Sequence, residues 1–394
     1  MGSIRPRLRV GLVGAGMIGR THAHAYRALP ECYQPPAADV ELKVVADVDP
    51  RLTDDARARY GFERSASRWE EVLEARDVDV VSVALPNFQH RQVAEALAAA
   101  GKHILCEKPL AATAADAGAM LQAVQQARIV HGVGFNLRRS PAIAAIREAI
   151  VGGRLGEIRQ FHGRYFTDYA ARPDVPFTWR YRRELAGSGA LGDIGSHIID
   201  LARFLCGEIV AIDGASVATF ITQRPIPQGH VTGHSRAASS GELQDVDTDD
   251  VVAFSARFAS GAIGNFHFSR IATGYRNSPA FEIIGSKGAV SFDMERAGEF
   301  GWFESQEDDG VNGFRRVVVG PSHPEFGNVA AFPVAGVGTS YTETYVVQAN
   351  EFLRAVVADN RDYAPNFADG YAAARICDAV LAAAEAGKPV DLTP

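Results

Sequence analysis

The strongest constraint on this chain lies near its start. Leu8 to Val13 is an apolar run that ends at Gly14-Ala15-Gly16-Met17-Ile18-Gly19, and Met17 to Leu29 carries helical periodicity. A strand that passes straight into a helix through three glycines at this spacing has few uses. The first glycine makes a tight turn, the second admits a ligand close to the backbone, and the third lets the helix pack on the strand. The helix N-terminus then faces the turn, where its unpaired N–H groups favour a phosphate. The segment predicts a dinucleotide site, with Gly14, Gly16, Met17, Ile18 and Gly19 around the pyrophosphate.

From residue 8 to 135, strand-length apolar runs alternate with helical stretches. Leu42 to Asp47, Val78 to Leu85, Lys102 to Glu107 and Ile129 to Phe135 read as strands. Pro50 to Tyr60, Gln89 to Ala100 and Ala114 to Ala127 read as helices. Such alternation predicts a doubly wound parallel sheet of Rossmann type. After residue 150 the rhythm changes. Glu157 to Tyr169, Ile209 to Phe220, Val251 to Phe258, Ala262 to Ser269, Ala280 to Ile284 and Ala289 to Asp293 read as strands, the later ones separated by glycine-rich turns. Successive hairpins predict a large, mostly antiparallel open sheet. The expected class is thus α/β followed by α+β, with domains over 1–135 and 136–394. Asp193 to Leu205, Glu343 to Val357 and Asp369 to Ala386 read as helices, the last able to return to the first domain. Gln223 to Asp250 and Gly320 to Ser340 read as long loops. Val251, Ala253, Phe266 and Phe268 alternate along their strands and predict an apolar open face, hence a homodimer or homotetramer through that sheet.

The second strand ends at Asp47. It lies 28 residues past Gly19, farther than the usual ~20, because Pro30 to Asp39 forms a loop. An acid here accepts a hydrogen bond from a ribose 2′-hydroxyl and repels a 2′-phosphate. Asp47, with Asp49 nearby, favours NAD over NADP, although Arg51 follows closely. The net charge of −7 argues against a nucleic-acid surface, and no Lys/Arg cluster contradicts it. No apolar run reaches membrane-spanning length. No apolar leader precedes Leu8, and Pro6 spoils a myristoylation signal at Met1-Gly2, so a cytoplasmic location is expected. Cys32, Cys106, Cys206 and Cys377 show no CxxC spacing and read as reduced thiols.

Two further clusters carry chemistry. Cys106-Glu107-Lys108-Pro109 closes one parallel strand. Gly187-Ser188-Gly189-Ala190-Leu191-Gly192-Asp193-Ile194-Gly195-Ser196-His197 lies in the later half. Taking a hydride from a secondary alcohol leaves a proton on oxygen, and a base must accept it. An imidazole suits this near neutrality, whereas an ammonium needs a site that disfavours its charge. Lys108 and His197 are both candidates. Asp193 and His197 are four apart and predict one helix face, which Asp200 continues. Pro86, Asn87 and His90 follow the central strand and predict contacts on the nicotinamide side. His22 and His24 point apart on their helix and no further ligand set joins them, so no metal is expected.

Together these residues resemble the Gfo/Idh/MocA oxidoreductases, a family named from glucose–fructose oxidoreductase and inositol dehydrogenase. The resemblance runs through Gly14 to Gly19, Ala46-Asp47, Leu85-Pro86-Asn87 with His90, Gly101-Lys102-His103, Glu107-Lys108-Pro109, and Gly192 to His197 with Asp200. It implies a cofactor domain, an open sheet bearing substrate residues and the oligomer interface, and Lys108, Asp193 and His197 as the catalytic group. Phe135-Asn136 with Arg138-Arg139, Thr178-Trp179-Arg180 and Ala186 to Leu191 are similar to the levoglucosan- and glycoside-oxidising branch. That branch implies a neutral polyhydroxylated ring oxidised at C3, with NAD taking the hydride. Lys108, Asn136, Asp193 and His197 would contact substrate; Glu107, Lys108, Trp179 and Arg180 would contact cofactor. Inositol oxidation and a non-catalytic sugar sensor are the alternatives within the family.

Overall fold

The computed structural model describes residues 5–229, 239–305 and 312–392. They form two compact units. The first runs to Asn136 and includes Thr342–Ala372; the second comprises Leu137–Tyr341 and the chain from Ala373. The sequence suggests domains over 1–135 and 136–394 with the last helix able to return to the first; the segment 342–372 groups with the first unit.

The first unit holds a six-stranded parallel sheet: β1 Arg7–Val13, β2 Asp39–Ala46, β3 Arg64–Ala66, β4 Val80–Val83, β5 His103–Cys106 and β6 His131–Val133. The order is β3-β2-β1-β4-β5-β6, with every pair parallel. This is the doubly wound Rossmann order, whose direction reverses between β1 and β4. The central strands are buried on both faces. Val80, Val81 and Val83 are all fully enclosed. Each such side chain stabilises the fold by about 1.5–3 kcal/mol relative to exposure.

The second unit is built on a nine-stranded sheet: β7 Ile158–Phe166, β8 Ile209–Ala218, β11 Val251–Phe258, β12 Ile263–Ser269, β13 Ser278–Gly285, β14 Gly288–Asp293, β15 Glu299–Glu304, β16 Arg315–Val318 and β17 Val390–Asp391. The order is β16-β15-β14-β13-β7-β12-β11-β8-β17. Only β7 and β12 pair in parallel; the other neighbours are antiparallel. A separate ribbon joins β9 Gln223–Pro227 to β10 Ser239–Asp245, with Gln223 opposite Asp245. The expected loop over 223–250 is therefore in part a hairpin, and its residues 230–238 lie outside the described residues, as does Met1-Gly2.

One face of the large sheet carries a phenylalanine core. Phe161, Phe254, Phe266, Phe268 and Phe281 are buried, with Phe254 and Phe266 stacked at 4.5 Å. The opposite face corrects the expected apolar patch. Val252 pairs with Phe268 and Phe254 with Phe266, whereas Ala253 pairs with His267. Phe266 and Phe268 thus point into the core, opposite to Val251 and Ala253. Side chains in a strand alternate, so one position of phase decides the face. The open face presents Asn265, His267 and Glu282 to solvent, with His162, Arg164, Ser255 and Ser291 half-buried beside them. They line a trough of about 1020 Å³. No described helix is long and apolar enough to cross a membrane.

Candidate active site

The glycine turn joins β1 to the helix Met17–Cys32. Gly14 has φ +92°, which L side chains rarely adopt, and a Cβ on Gly19 would lie 1.8 Å from the Gly14 carbonyl oxygen. Both positions require glycine. Gly16 caps the helix, and a Cβ there would meet nothing within 4 Å. The space above it is open, and Met17 beside it is exposed. Asp47 follows β2, and its Oδ2 accepts the Ala15 N–H at 2.7 Å. Its Oδ1 accepts the Asp49 N–H at 2.9 Å. A carboxylate offers about four acceptor positions, so Asp47 retains capacity for a ribose hydroxyl. Asp49 holds Arg51 in a two-pronged pair, at 3.0 and 2.7 Å. An open cradle at a helix N-terminus, with an acid on the next strand, fits a dinucleotide.

Beyond β4, Asn87 is buried at the start of a short 3₁₀ turn. His90 is 1% exposed, with Nε2 2.8 Å from the Leu85 carbonyl and Nδ1 3.1 Å from that of Leu110. Burial lowers its pKa. A neutral ring has one N–H, best placed on the shorter bond to Leu85. His90 thus donates to the loop after β4 and packs against the carbonyl of Leu110 in the loop after β5.

Glu107 and Lys108 follow β5. Lys108 is half-buried; Glu107 is 4% exposed. Glu107 Oε2 accepts the Lys108 N–H at 3.1 Å, and Oε1 lies 2.9 Å from His22 Nε2. Asn136 is fully buried, and its Nδ2 donates to Thr344 Oγ1 at 2.7 Å. That bond ties the end of the Rossmann stretch to the returning segment, a structural link that sequence spacing does not reveal.

In the second unit, Asp193 lies in a five-residue π-turn, Leu191–Gly195, that runs into the α-helix Ser196–Cys206. Asp193 and His197 therefore flank a junction, where a uniform helix from Asp193 was expected. The turn is pinned at its start. Asp249 accepts the N–H groups of Gly189 and Leu191 at 2.6 and 2.8 Å. Single π-turns of this kind recur at functional sites. Asp193 is half-buried and accepts the Tyr169 hydroxyl at 2.8 Å. Burial, reinforced by the Asp193 charge, pushes the Tyr169 phenol well above its usual range, so it stays a donor. His197 is 3% exposed and its ring faces Tyr165 at 6.1 Å. Trp179 and Arg180 share a 3₁₀ turn, with the Arg180 guanidinium 4.5 Å above the indole. Asp200 forms a buried two-pronged pair with Arg138, at 2.8 and 2.6 Å.

Tyr165, Tyr169, His22 and Ser82 were not recognised as site residues from sequence. Ser82 carried a signal, since it alone is polar within Val80-Val81-Ser82-Val83. Tyr169 carried none, because Asp193 is 24 residues away.

The comparisons with known proteins agree with this geometry. Residues 8–135 match the model of an oxidoreductase family with an NAD-binding Rossmann fold. Residues 143–291 match the GFO/IDH/MocA C-terminal domain. The chain is 41% identical over 386 residues to levoglucosan dehydrogenase of Pseudarthrobacter phenanthrenivorans, covering 98% of both. It is 30% identical over 374 residues to inositol 2-dehydrogenase of Rhizobium meliloti, covering 95% of this chain and 96% of that one. A solved levoglucosan dehydrogenase in complex with NADH and levoglucosan superposes with a TM-score of 0.91 at 40% identity, over 98% of this chain and all of that one. A parallel Rossmann unit with its glycine turn, joined to a large mixed sheet and matched along nearly its whole length, leaves one assignment: the chain belongs to the Gfo/Idh/MocA oxidoreductases and is an NAD-dependent dehydrogenase.

Proposed function

We propose that the protein oxidises a secondary ring hydroxyl of an anhydrosugar, sugar or glycoside to a ketone, at C3. The match over 98% of both chains to a levoglucosan dehydrogenase carries this reading. Bound NAD supplies the hydride acceptor. Gly14, Gly16, Met17, Ile18 and Gly19 hold the pyrophosphate, Asp47 accepts from the adenosine ribose, and Pro86, Asn87, Glu107, Trp179 and Arg180 serve the cofactor. Lys108, Asp193 and His197 form the catalytic group around the substrate hydroxyl. Asp193, oriented by Tyr169, accepts from a substrate hydroxyl. The proton leaves the substrate oxygen for one of two bases, His197 or Lys108. A site lined with such groups suits a polyhydroxylated ring and would leave polar groups unpaired around an apolar alcohol. Asn136 supports this site by holding Thr344. A cyclitol is the second reading, favoured by the 30% identity to an inositol 2-dehydrogenase.

NAD reduction measured over levoglucosan, pyranosides, glycosides and cyclitols tests the proposal. Turnover highest with levoglucosan or a glycoside supports it, and turnover confined to acyclic hydroxy acids or simple alcohols overturns it. Homo-oligomers formed through the open face of the large sheet belong to the same proposal.

A further inference from the structure

Within the first unit, several polar side chains are buried in a line, and all of them but Glu107 are left without a task by the hydride-transfer chemistry. Ser82 is fully enclosed in β4. Its Oγ lies 2.8 Å from the Tyr26 hydroxyl and 3.1 Å from His22 Nδ1. His22 is 2% exposed, and its Nε2 lies 2.9 Å from Glu107 Oε1. Glu107 Oε2 accepts the main-chain N–H of Lys108 at 3.1 Å. The ring of Tyr345 meets that of His22 edge-on at 5.5 Å.

One hydrogen pattern serves the whole line. A carboxylate only accepts, so His22 Nε2 carries hydrogen toward Glu107. With that hydrogen on Nε2, Nδ1 is free to accept from the Ser82 hydroxyl at 3.1 Å. Ser82 in turn accepts from Tyr26, whose phenol is held above its usual range by burial. Every donor along the line points toward Glu107.

Such a line either conducts a proton or holds a group still. Its far end is closed: Ser82 is fully buried and Tyr26 is 2% exposed. It does not open to solvent, so it serves to hold. We propose that His22 is a positioning residue that fixes the Glu107 carboxylate, and through it the main chain at Lys108, so that the lysine meets the substrate hydroxyl in one orientation. This inference rests on the role of Lys108 given above. Loss of the donor leaves a buried carboxylate short of a partner, which is costly enough to drive a local shift. A displacement near 1 Å at a reacting group lowers the rate by up to about 10²-fold.

The test uses the full chain with NAD and levoglucosan. His22→Ala should lower kcat about tenfold while changing KM for NAD less than about twofold. Gln places an amide N–H near the position of Nε2, and Asn reaches only the position of Nδ1. His22→Gln should therefore recover most of the loss and His22→Asn should not, a comparison that stands even if the alanine variant fails to fold. In a Lys108→Ala background, His22→Ala should have no further effect on kcat. Apart from turnover, hydrogen exchange at the Lys108 amide should quicken in His22→Ala. Near-normal kcat in His22→Ala beside a strong loss in Lys108→Ala overturns this proposal alone. So do equal activities of the Gln and Asn variants, a loss fully additive with that of Lys108→Ala, or unchanged exchange at Lys108. Near-normal kcat in Lys108→Ala overturns the role of the lysine, and the positioning role with it.

Discussion

At the scale of single residues, the molecule separates groups that meet reactants from groups that hold them. Lys108→Ala and His197→Ala should each lower kcat by about 10²-fold or more if both act in proton transfer as proposed. NAD binding measured by fluorescence titration should survive both changes, since it depends on the glycine turn. Near-normal turnover of both variants would contradict the assignment. Asp47 allows a separate prediction. Its carboxylate already anchors Ala15 and Asp49, so it cannot swing away from a 2′-phosphate. Asp47→Ser should raise the efficiency with NADP relative to NAD by about tenfold, the equivalent of removing roughly 1.4 kcal/mol of repulsion. An unmodified enzyme that uses NADP as well as NAD would remove the basis for this. Tyr169→Phe should weaken sugar binding and turnover while leaving NAD binding intact, as the Asp193 carboxylate loses one donor worth roughly 1.5–3 kcal/mol.

At the scale of elements, the short strand β6 carries a titrating link. His131 is 6% exposed, and its Nδ1 accepts the N–H of Phe367, the first residue of the helix Phe367–Ala386. Burial lowers the pKa of His131 from 6.5 to about 4. A positive charge there would also face the wrong end of a helix. The unfolded chain therefore binds the proton more tightly than the folded one. Stability from this residue is complete above pH 6.5 and is lost as the pH falls toward 4, by about 3 kcal/mol in all. His131→Asn keeps an acceptor and removes the titration, so its stability by urea denaturation should fall less than that of the parent between pH 7 and 4.5. Equal losses would refute this origin. Elements of this kind also mark what sequence reveals. The Rossmann order was legible because apolar runs and glycines report strand and turn directly. Lys108, Asp193 and His197 stood out by their motifs. The π-turn at Leu191–Gly195 did not, because it is produced by Asp249, distant in sequence, gripping the backbone ahead of it. Nor did the bracing of His90 between two carbonyls, since main-chain oxygens leave no trace in a pattern of side chains. The edge strand β16 and its neighbour β15 do not stand out in the sequence because they are short and mix apolar with charged residues.

At the scale of the whole molecule, the proposal that subunits associate through the open sheet face can be checked directly. Light scattering at micromolar concentration should give a dimer or tetramer, and a monomeric mass would contradict the proposed interface. The expected reason for association was an apolar surface, but the register of β11 against β12 sends Phe266 and Phe268 inward and leaves Asn265 and His267 outside. Raising the salt concentration should therefore loosen the assembly, as screening acts on charges along this face such as Glu282 and the half-buried pair Arg164–Asp293. An assembly driven by apolar burial would hold or tighten instead. The polar face has a practical consequence for handling. A protomer set loose by dilution shows water a mixed surface, in which Asn265, His267 and Glu282 are wetted beside Ile263 and Phe314. Separated subunits should remain in clear solution and reassemble on concentration, so the enzyme should tolerate cycles of dilution without precipitating.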